Sequence, residues 1–562
     1  MSVRIDFDVE MRTRDGVTLR SDVYLPIRDG PVPAIVLRTP YNKAIRRVKL
    51  GGFDPVTAAA NGYAFVIQDV RGRCASGGEY VPISKIEGPD GYDCIEWVAA
   101  QPWCDGNVGM VGVSYESLAQ FMAAEEQPPH LRAIVPEYSG DASRSFMRLD
   151  SIMVGWAAHQ AADWLQKKIA TGEATPEDMK VVAETMRNPQ GIARHLPLED
   201  MPLMKVGVLF GYAQMIDILR NAACVRWERI QVPALMIGGW YDIDPGGVAR
   251  FFASLRAKGA TPASRADTAV VWGPWEHGIP FFNLGERFFG LMASADNKNL
   301  SALYLAFFDR HLRGASTTVP TATYFVMGVN EWREADSWPP AGVEWRSYYL
   351  DSRGKANSLV GDGRLTQTLP SDQVVDRYDY DPANPVPSFG GRYYKWGGSL
   401  AGPYDQRRIE IRPDVLVYTS DNLETPLEVI GDCRLRFYAV TSAVDTDFVA
   451  KVCDVDETGL SHNITDGILR AKWRGGVDEP QLLEPLRVYE FTIELGPIAH
   501  VFLPGHRIRV QITSSAFPSF DRNMNTGNRE GSDAVGIIAK QEIWHGGDRP
   551  SRLELQATER RS

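Results

Sequence analysis

The period of the hydrophobic pattern changes along this chain, and each change predicts a different architecture. Residues 17–26 alternate polar and apolar side chains, as a half-exposed strand does, after a turn at Arg14-Asp-Gly16. Short apolar runs come next at Ala34–Leu37, Tyr63–Ile67, Val108–Val113 and Leu131–Val135. Runs of this kind predict strands buried on both faces. Between them the spacing turns helical. Tyr92, Ile95, Trp97 and Val98 mark one helix, and Leu118, Phe121 and Met122 mark another that begins near Tyr115. Strands alternating with helices predict the α/β class, a parallel sheet with helices on both faces.

After Pro136 the strands stop. From Ser145 to about Ile230 helical spacing dominates, with Ile152, Met153, Trp156, Ala157 and Trp164 on one face and a helix start at Gly172-Glu-Ala-Thr-Pro-Glu-Asp. The sheet pattern resumes at Val232–Gly239 and Thr268–Gly273. A helical insertion at this point is placed to cover strand ends, where ligands bind in open α/β sheets. Later runs at Ser347–Leu350, Leu416–Tyr418, Cys433–Val440, Phe448–Val452, Arg487–Ile493 and Arg507–Ile512 alternate and are separated by Gly, Pro, Asn and Asp. They predict an antiparallel sandwich or jelly roll. Ser352 to Pro387, rich in Gly, Asp, Ser and Pro, reads as a long surface connection. The expected division is therefore a discontinuous sheet domain (1–144 and 231–345), a helical cap (145–230) and a sandwich (346–562).

Composition narrows the function without naming it. The net charge of −11 argues against a nucleic-acid partner, because phosphate binding needs a basic surface. No stretch approaches the roughly 20 apolar residues of a membrane span, and the first residues lack an apolar signal core. The six cysteines are scattered without a C-x-x-C pair, which reads as buried thiols in a reducing, cytoplasmic setting. No metal-binding, phosphate-loop or clustered Cys/His motif is present, so no cofactor is expected.

The chemistry lies at strand ends. Gly112-Val-Ser114-Tyr-Glu stands between the Val108–Val113 run and a helix, the arrangement of a nucleophile elbow. Most serines at helix starts are only N-caps. Two later loops set Ser114 apart: Trp240-Tyr-Asp242 after one apolar run and Pro274-Trp-Glu-His277 after the next. Ser114, Asp242, His277 is the chain order of the α/β-hydrolase triad, with each residue just beyond a strand. His277 would move the proton of Ser114 and Asp242 would orient the imidazole.

The motifs extend almost end to end. Leu37-Arg-Thr-Pro-Tyr41-Asn-Lys43, Gln68-Asp-Val-Arg-Gly72, Ser76-Gly-Gly-Glu79 and Trp103 through Tyr115 fall in the first part of the chain. Beyond them come Gly238-Gly-Trp-Tyr-Asp242, Gly273-Pro-Trp-Glu-His277, Phe307 through Gly314, Val444-Asp-Thr-Asp-Phe448, Val501 through Arg507 and Asp521 through Gly527. On these the chain resembles the cocaine esterase family, which is similar to the X-prolyl dipeptidyl peptidases and the α-amino acid ester hydrolases. The resemblance implies an α/β-hydrolase domain with an inserted helical cap and a C-terminal jelly roll. It also implies an oxyanion hole made by the Tyr41 hydroxyl and the backbone N–H of Tyr115. In the family's G-x-S-Y-x-G, Ser117 stands here for the last glycine, and Glu116 occupies a place where the general elbow motif has a small residue.

The resemblance further implies a small-molecule ester substrate and an acyl pocket in the cap, for which Trp156 and Trp164 are candidates. Asp244, two residues past the triad aspartate, is where the amino-acid ester hydrolases place an acid that binds the substrate ammonium. Hydrolysis of acyl esters by way of an acyl-enzyme is the expected activity. The rivals are a hydrolase of α-amino esters or X-Pro peptides, and a carbohydrate-binding protein with a vestigial triad. The sandwich would close one side of the cleft, and a homodimer is among the assemblies it could serve.

Overall fold

Val108–Val113 lies at the centre of a ten-stranded sheet, and its side chains show why a continuous apolar run is required there. Val108 and Met110 enter one core, Val111 and Val113 another on the opposite face. The computed structural model describes residues 3–47, 53–140, 161–162, 164–206, 225–278, 281–392, 400–476 and 479–559. The first sheet is built from β1 (Val3–Arg12), β2 (Thr18–Pro26), β3 (Val32–Thr39), β4 (Ala64–Asp69) and β5 (Cys104–Val113). It continues with β6 (Leu131–Glu137), β7 (Leu235–Gly239), β8 (Ala269–Gly273), β9 (Ala322–Val326) and β10 (Glu331–Ala335). Their order is β1-β2-β4-β3-β5-β6-β7-β8-β9-β10, parallel from β4 through β9.

Helices α1 (Pro55–Ala60), α2 (Glu87–Ala99) and α3 (Tyr115–Glu125) come after β3, β4 and β5 respectively. Residues of α2 and α3 join the core of one face, and Ala58 of α1 joins that of the other. In the inserted region, the described residues between 161 and 206 are helical or irregular. They include α4 (Pro176–Arg187), whose start is closed by a capping box between Thr175 and Asp178. Further on, α5 (Pro245–Lys258) packs with α3, and α6 (Leu300–Arg313) covers the α1 face. Gly109 of β5 admits that last helix: a Cβ there would meet the Phe308 ring at 2.6 Å.

Eleven strands between Glu344 and Glu559 form the second sheet, centred on Leu427–Thr441. Pairing is antiparallel throughout except where Arg364–Thr366 meets Leu416–Thr419. Two strands, Arg364–Thr366 and Val374–Tyr380, lie inside the segment expected to be a surface connection. The second pairs with Ala539–His545. Its pattern hides it because a charge occupies a core position: Asp376 is fully buried, accepting hydrogen bonds from Ser352 and Tyr418 at 2.7 and 2.8 Å with His545 at 2.9 Å. The two sheets are joined by main chain. The Met327 amide donates to the Ala499 carbonyl and the Val501 amide to the Met327 carbonyl, both at 2.9 Å.

Candidate active site

Ser114 is held in a conformation that few residues adopt, at φ 64° and ψ −119°, between the last residue of β5 and the first of α3. Backbone of this kind costs on the order of 1–3 kcal/mol and persists only where neighbours over-determine it. Here they do. The Ser114 amide donates to Glu137 on β6 at 2.9 Å, and its carbonyl receives the amides of Ser117 and Leu118. Glu116, where the motif has a small residue, is buried and folds back on the turn. Its Oε2 accepts the Val113 amide at 2.9 Å and its Oε1 accepts Arg46 Nε at 2.5 Å. Gly112 makes room for it, since a Cβ there would lie 2.5 Å from the Glu116 Cβ. Ser117 keeps the packing its small size promised, fully buried with its hydroxyl against that of Ser139.

The other two loops stay zipped together beyond their strands. β7 and β8 are in parallel register with Gly239 beside Gly273. The Trp240 amide then donates to the Gly273 carbonyl at 2.9 Å and the Tyr241 amide to the Trp275 carbonyl at 3.0 Å. Gly273 is required by proximity, because a Cβ would sit 2.1 Å from the Trp275 ring. The result places His277 Nδ1 2.6 Å from Asp242 Oδ1. Asp242 is 1% exposed and also accepts the Ile243 amide at 2.7 Å, so it is aimed from two sides. Tyr138, beyond β6, packs its ring edgewise on the imidazole at 5.8 Å. Gly278 lies against Val113, within 3.3 Å of its Cγ1 by the position a Cβ would take, so the histidine loop rests on the residue before Ser114.

Tyr41 and Tyr115 meet edge to face at 6.4 Å. Tyr41, half-buried beyond β3, lies with its ring 5.3 Å from the Arg46 guanidinium. Its loop is pinned by Lys43, whose amide donates to Asp69 at 2.7 Å and whose ammonium pairs with Asp22 at 2.8 Å. Burial pushes the Asp69 carboxyl up to about 6, against the pull of those donors. The Tyr115 side chain points away into the core. Its hydroxyl donates to Glu87 at 2.8 Å and accepts the Ile83 amide at 3.2 Å, while Glu87 pairs with Arg38 at 2.8 Å. Burial keeps the Tyr115 phenol well above its ordinary range and raises Glu87 as well. The Tyr115 amide, at the first position of α3, is one of those that no intrahelical carbonyl takes.

Of the three substrate-binding residues expected from the sequence, Asp244 and Trp164 are among the described residues. Asp244 is the N-cap of α5, accepting the Gly247 amide at 3.0 Å, and it pairs with Arg250 at 3.1 Å. Trp164 is half-buried against the main core, with the Lys168 ammonium 5.9 Å from its ring. Trp156 lies outside the described residues. Beside Trp164, Lys167 latches the cap to the loop after β4, donating to the Gly72 and Ser76 carbonyls at 3.2 and 2.9 Å. Sequence reasoning missed Arg46, Glu87 and Tyr138, and no motif or period would have found them. Among the described residues there is no cluster of His, Cys, Asp or Glu arranged to hold a metal ion.

Residues 15–279 match the X-Pro dipeptidyl-peptidase (S15) family and residues 314–554 the X-Pro dipeptidyl-peptidase C-terminal non-catalytic domain. The cocaine esterase of Rhodococcus sp. (strain MB1 Bresler) is 36% identical over 98% of this chain and 98% of its own. The chain belongs to the cocaine esterase family of serine hydrolases. As a member of that family it is a hydrolase. Its fold is shared with an aminopeptidase from a marine-sediment Thaumarchaeota archaeon, at TM-score 0.73 and 25% identity over 99% of this chain and 96% of that one. An α-amino acid ester hydrolase superposes equally well, at TM-score 0.73 and 24% identity over 99% and 96%. Among the described residues of this family member no helix is long and apolar enough to cross a membrane.

Proposed function

We propose that this hydrolase cleaves carboxylic esters through a Ser114–His277–Asp242 triad and an acyl-enzyme intermediate. The observation that carries the reading is the 2.6 Å contact between His277 and Asp242 on a loop resting against Val113, next to the strained Ser114. With Nδ1 committed to the carboxylate, the imidazole works through Nε2. It takes the Ser114 proton as Oγ attacks the ester carbonyl, and returns that proton to the departing alcohol. Water then repeats the attack on the acyl-serine, giving the acid and restoring Ser114. The Tyr41 hydroxyl and the Tyr115 amide hold the oxyanion at each tetrahedral stage, helped by the N-terminus of α3.

The engagement of Asp244 supports a neutral acyl group over an α-amino one. Its carboxylate is already engaged by a helix amide and by Arg250, so a substrate ammonium would have to displace that guanidinium. The reading is tested with Ser114→Ala on a simple aryl ester and with a fluorophosphonate probe on the parent. The variant is expected to lose essentially all turnover, and the probe to label the parent at Ser114. Full turnover in the variant overturns the proposal.

A further inference from the structure

Two charged groups at the nucleophile turn, Glu116 buried and Arg46 nearly so, take no part in the proton transfers of the triad. Glu116 is 1% exposed at its side chain and Arg46 is 10% exposed, and they pair at 2.5 Å. A buried ion pair is no better for stability than apolar residues of the same volume, since desolvation consumes the Coulombic gain. Stability therefore does not explain a carboxylate at this position. Geometry does. One Glu116 oxygen holds the amide of Val113, the residue that leads into Ser114. The other holds Arg46, whose guanidinium faces the Tyr41 ring at 5.3 Å. A cation within about 6 Å of an aromatic centroid attracts the ring face.

We propose that Arg46 and Glu116 form a positioning pair that fixes the Tyr41 hydroxyl relative to the Ser114 turn. This inference rests on the triad and oxyanion-hole reading of the same site. Tyr41 stands on a loop after β3 and Ser114 on the turn after β5; the parallel pairing of these two strands brings the turns side by side, but its register ends at Val36 and Met110, short of both residues. The chain Val113–Glu116–Arg46–Tyr41 supplies that link. Catalysis is sensitive to such placement: a displacement of about 1 Å can cost on the order of a hundredfold.

The test is a set of folded variants assayed for kcat and KM on an aryl ester and for urea midpoint. Arg46→Gln and Glu116→Gln are each expected to lower kcat tenfold or more, with KM within about twofold, as loss of transition-state positioning requires. Arg46→Gln is then repeated in a Tyr41→Phe background. A residue that acts through the Tyr41 hydroxyl loses its leverage once that hydroxyl is gone, so the effect should shrink to less than about threefold. The apolar double variant Arg46→Met/Glu116→Leu separates positioning from folding. It should fold, with a urea midpoint lowered only modestly by the Val113 amide that loses its acceptor, and remain slow. Parental kcat in that folded double variant overturns the inference, as does an equal Arg46→Gln effect in both backgrounds. If the double variant does not fold, the comparison across backgrounds decides. Ser114→Ala keeps the two readings apart: if it is inactive while the pair variants are fully active, only the positioning role fails, whereas an active Ser114→Ala removes both.

Discussion

Tyr41 and Tyr115 touch each other, yet removing their hydroxyls should have opposite consequences. The Tyr115 hydroxyl works inside the core, where it donates to Glu87 and accepts the Ile83 amide. In Tyr115→Phe the ring stays, the Glu87 carboxylate keeps Arg38, and the Ile83 amide loses its acceptor. A hydrogen bond to a charged group contributes about 1.5–3 kcal/mol, and an orphaned buried donor costs about 1–3 kcal/mol. These terms overlap, so the loss of stability should be about 2–4 kcal/mol. The backbone amide proposed to hold the oxyanion is untouched, and kcat should stay within about threefold. Tyr41→Phe reverses the outcome. Loss of one oxyanion donor lowers kcat by about 10²–10³, while the urea midpoint should stay nearly unchanged because Tyr41 is a half-buried residue on a loop. Urea unfolding followed by tryptophan fluorescence and steady-state hydrolysis of an aryl ester, run on the same preparations, measure both quantities. A Tyr115→Phe protein of parental stability with kcat reduced a hundredfold would refute this division of labour.

Asp69 gives a pH signature. Its carboxyl is pushed up to about 6 by burial, against an ordinary value near 3.9. A raised folded value means that the contribution to stability is fully present below about pH 4 and is lost as pH rises through about 6, amounting to about 2–3 kcal/mol. Asp69→Asn removes that dependence, so the variant should gain on the parent between pH 4 and 7 in urea titrations; a constant difference would contradict it. For Asp244, an α-amino ester and its desamino analogue should be hydrolysed with similar preference before and after Asp244→Asn, once α5 is confirmed intact by circular dichroism. A parental preference for the amino ester that disappears in the variant would show that the substrate ammonium does reach this carboxylate.

Those strands whose burial is apolar were legible, and the missed ones fail for identifiable reasons. β5, β7 and β8 are wholly buried along their apolar stretches, and the order of the residues behind them carried the triad expectation. β1 is an edge strand with only Met11 buried, so its Arg, Asp and Glu residues leave no apolar run to mark it. Ser461–Arg470 is nearly all buried but polar, because its side chains answer one another and the neighbouring loops. Asn463 accepts the Tyr404 amide at 2.9 Å, and Arg470 pairs with Asp447 at 2.8 Å. The same limit applies at the site. Chain order locates Ser114, Asp242 and His277, but Glu116 looks like a misfit until Arg46, seventy residues earlier, is found beside it.

β9 and β10 lie past residue 314, inside the stretch that matches the non-catalytic domain, yet they complete the first sheet. β9 runs parallel to β8, the strand that ends at the loop of His277, with Ala322 opposite Val270 and Tyr324 opposite Trp272. A protein cut at the family boundary would therefore leave Ala269–Gly273 as a raw margin, its main-chain donors and acceptors open to any passing strand. Such a half-enzyme would lose, along with the sandwich, the strand that seats its histidine loop, and would sooner clump than hydrolyse.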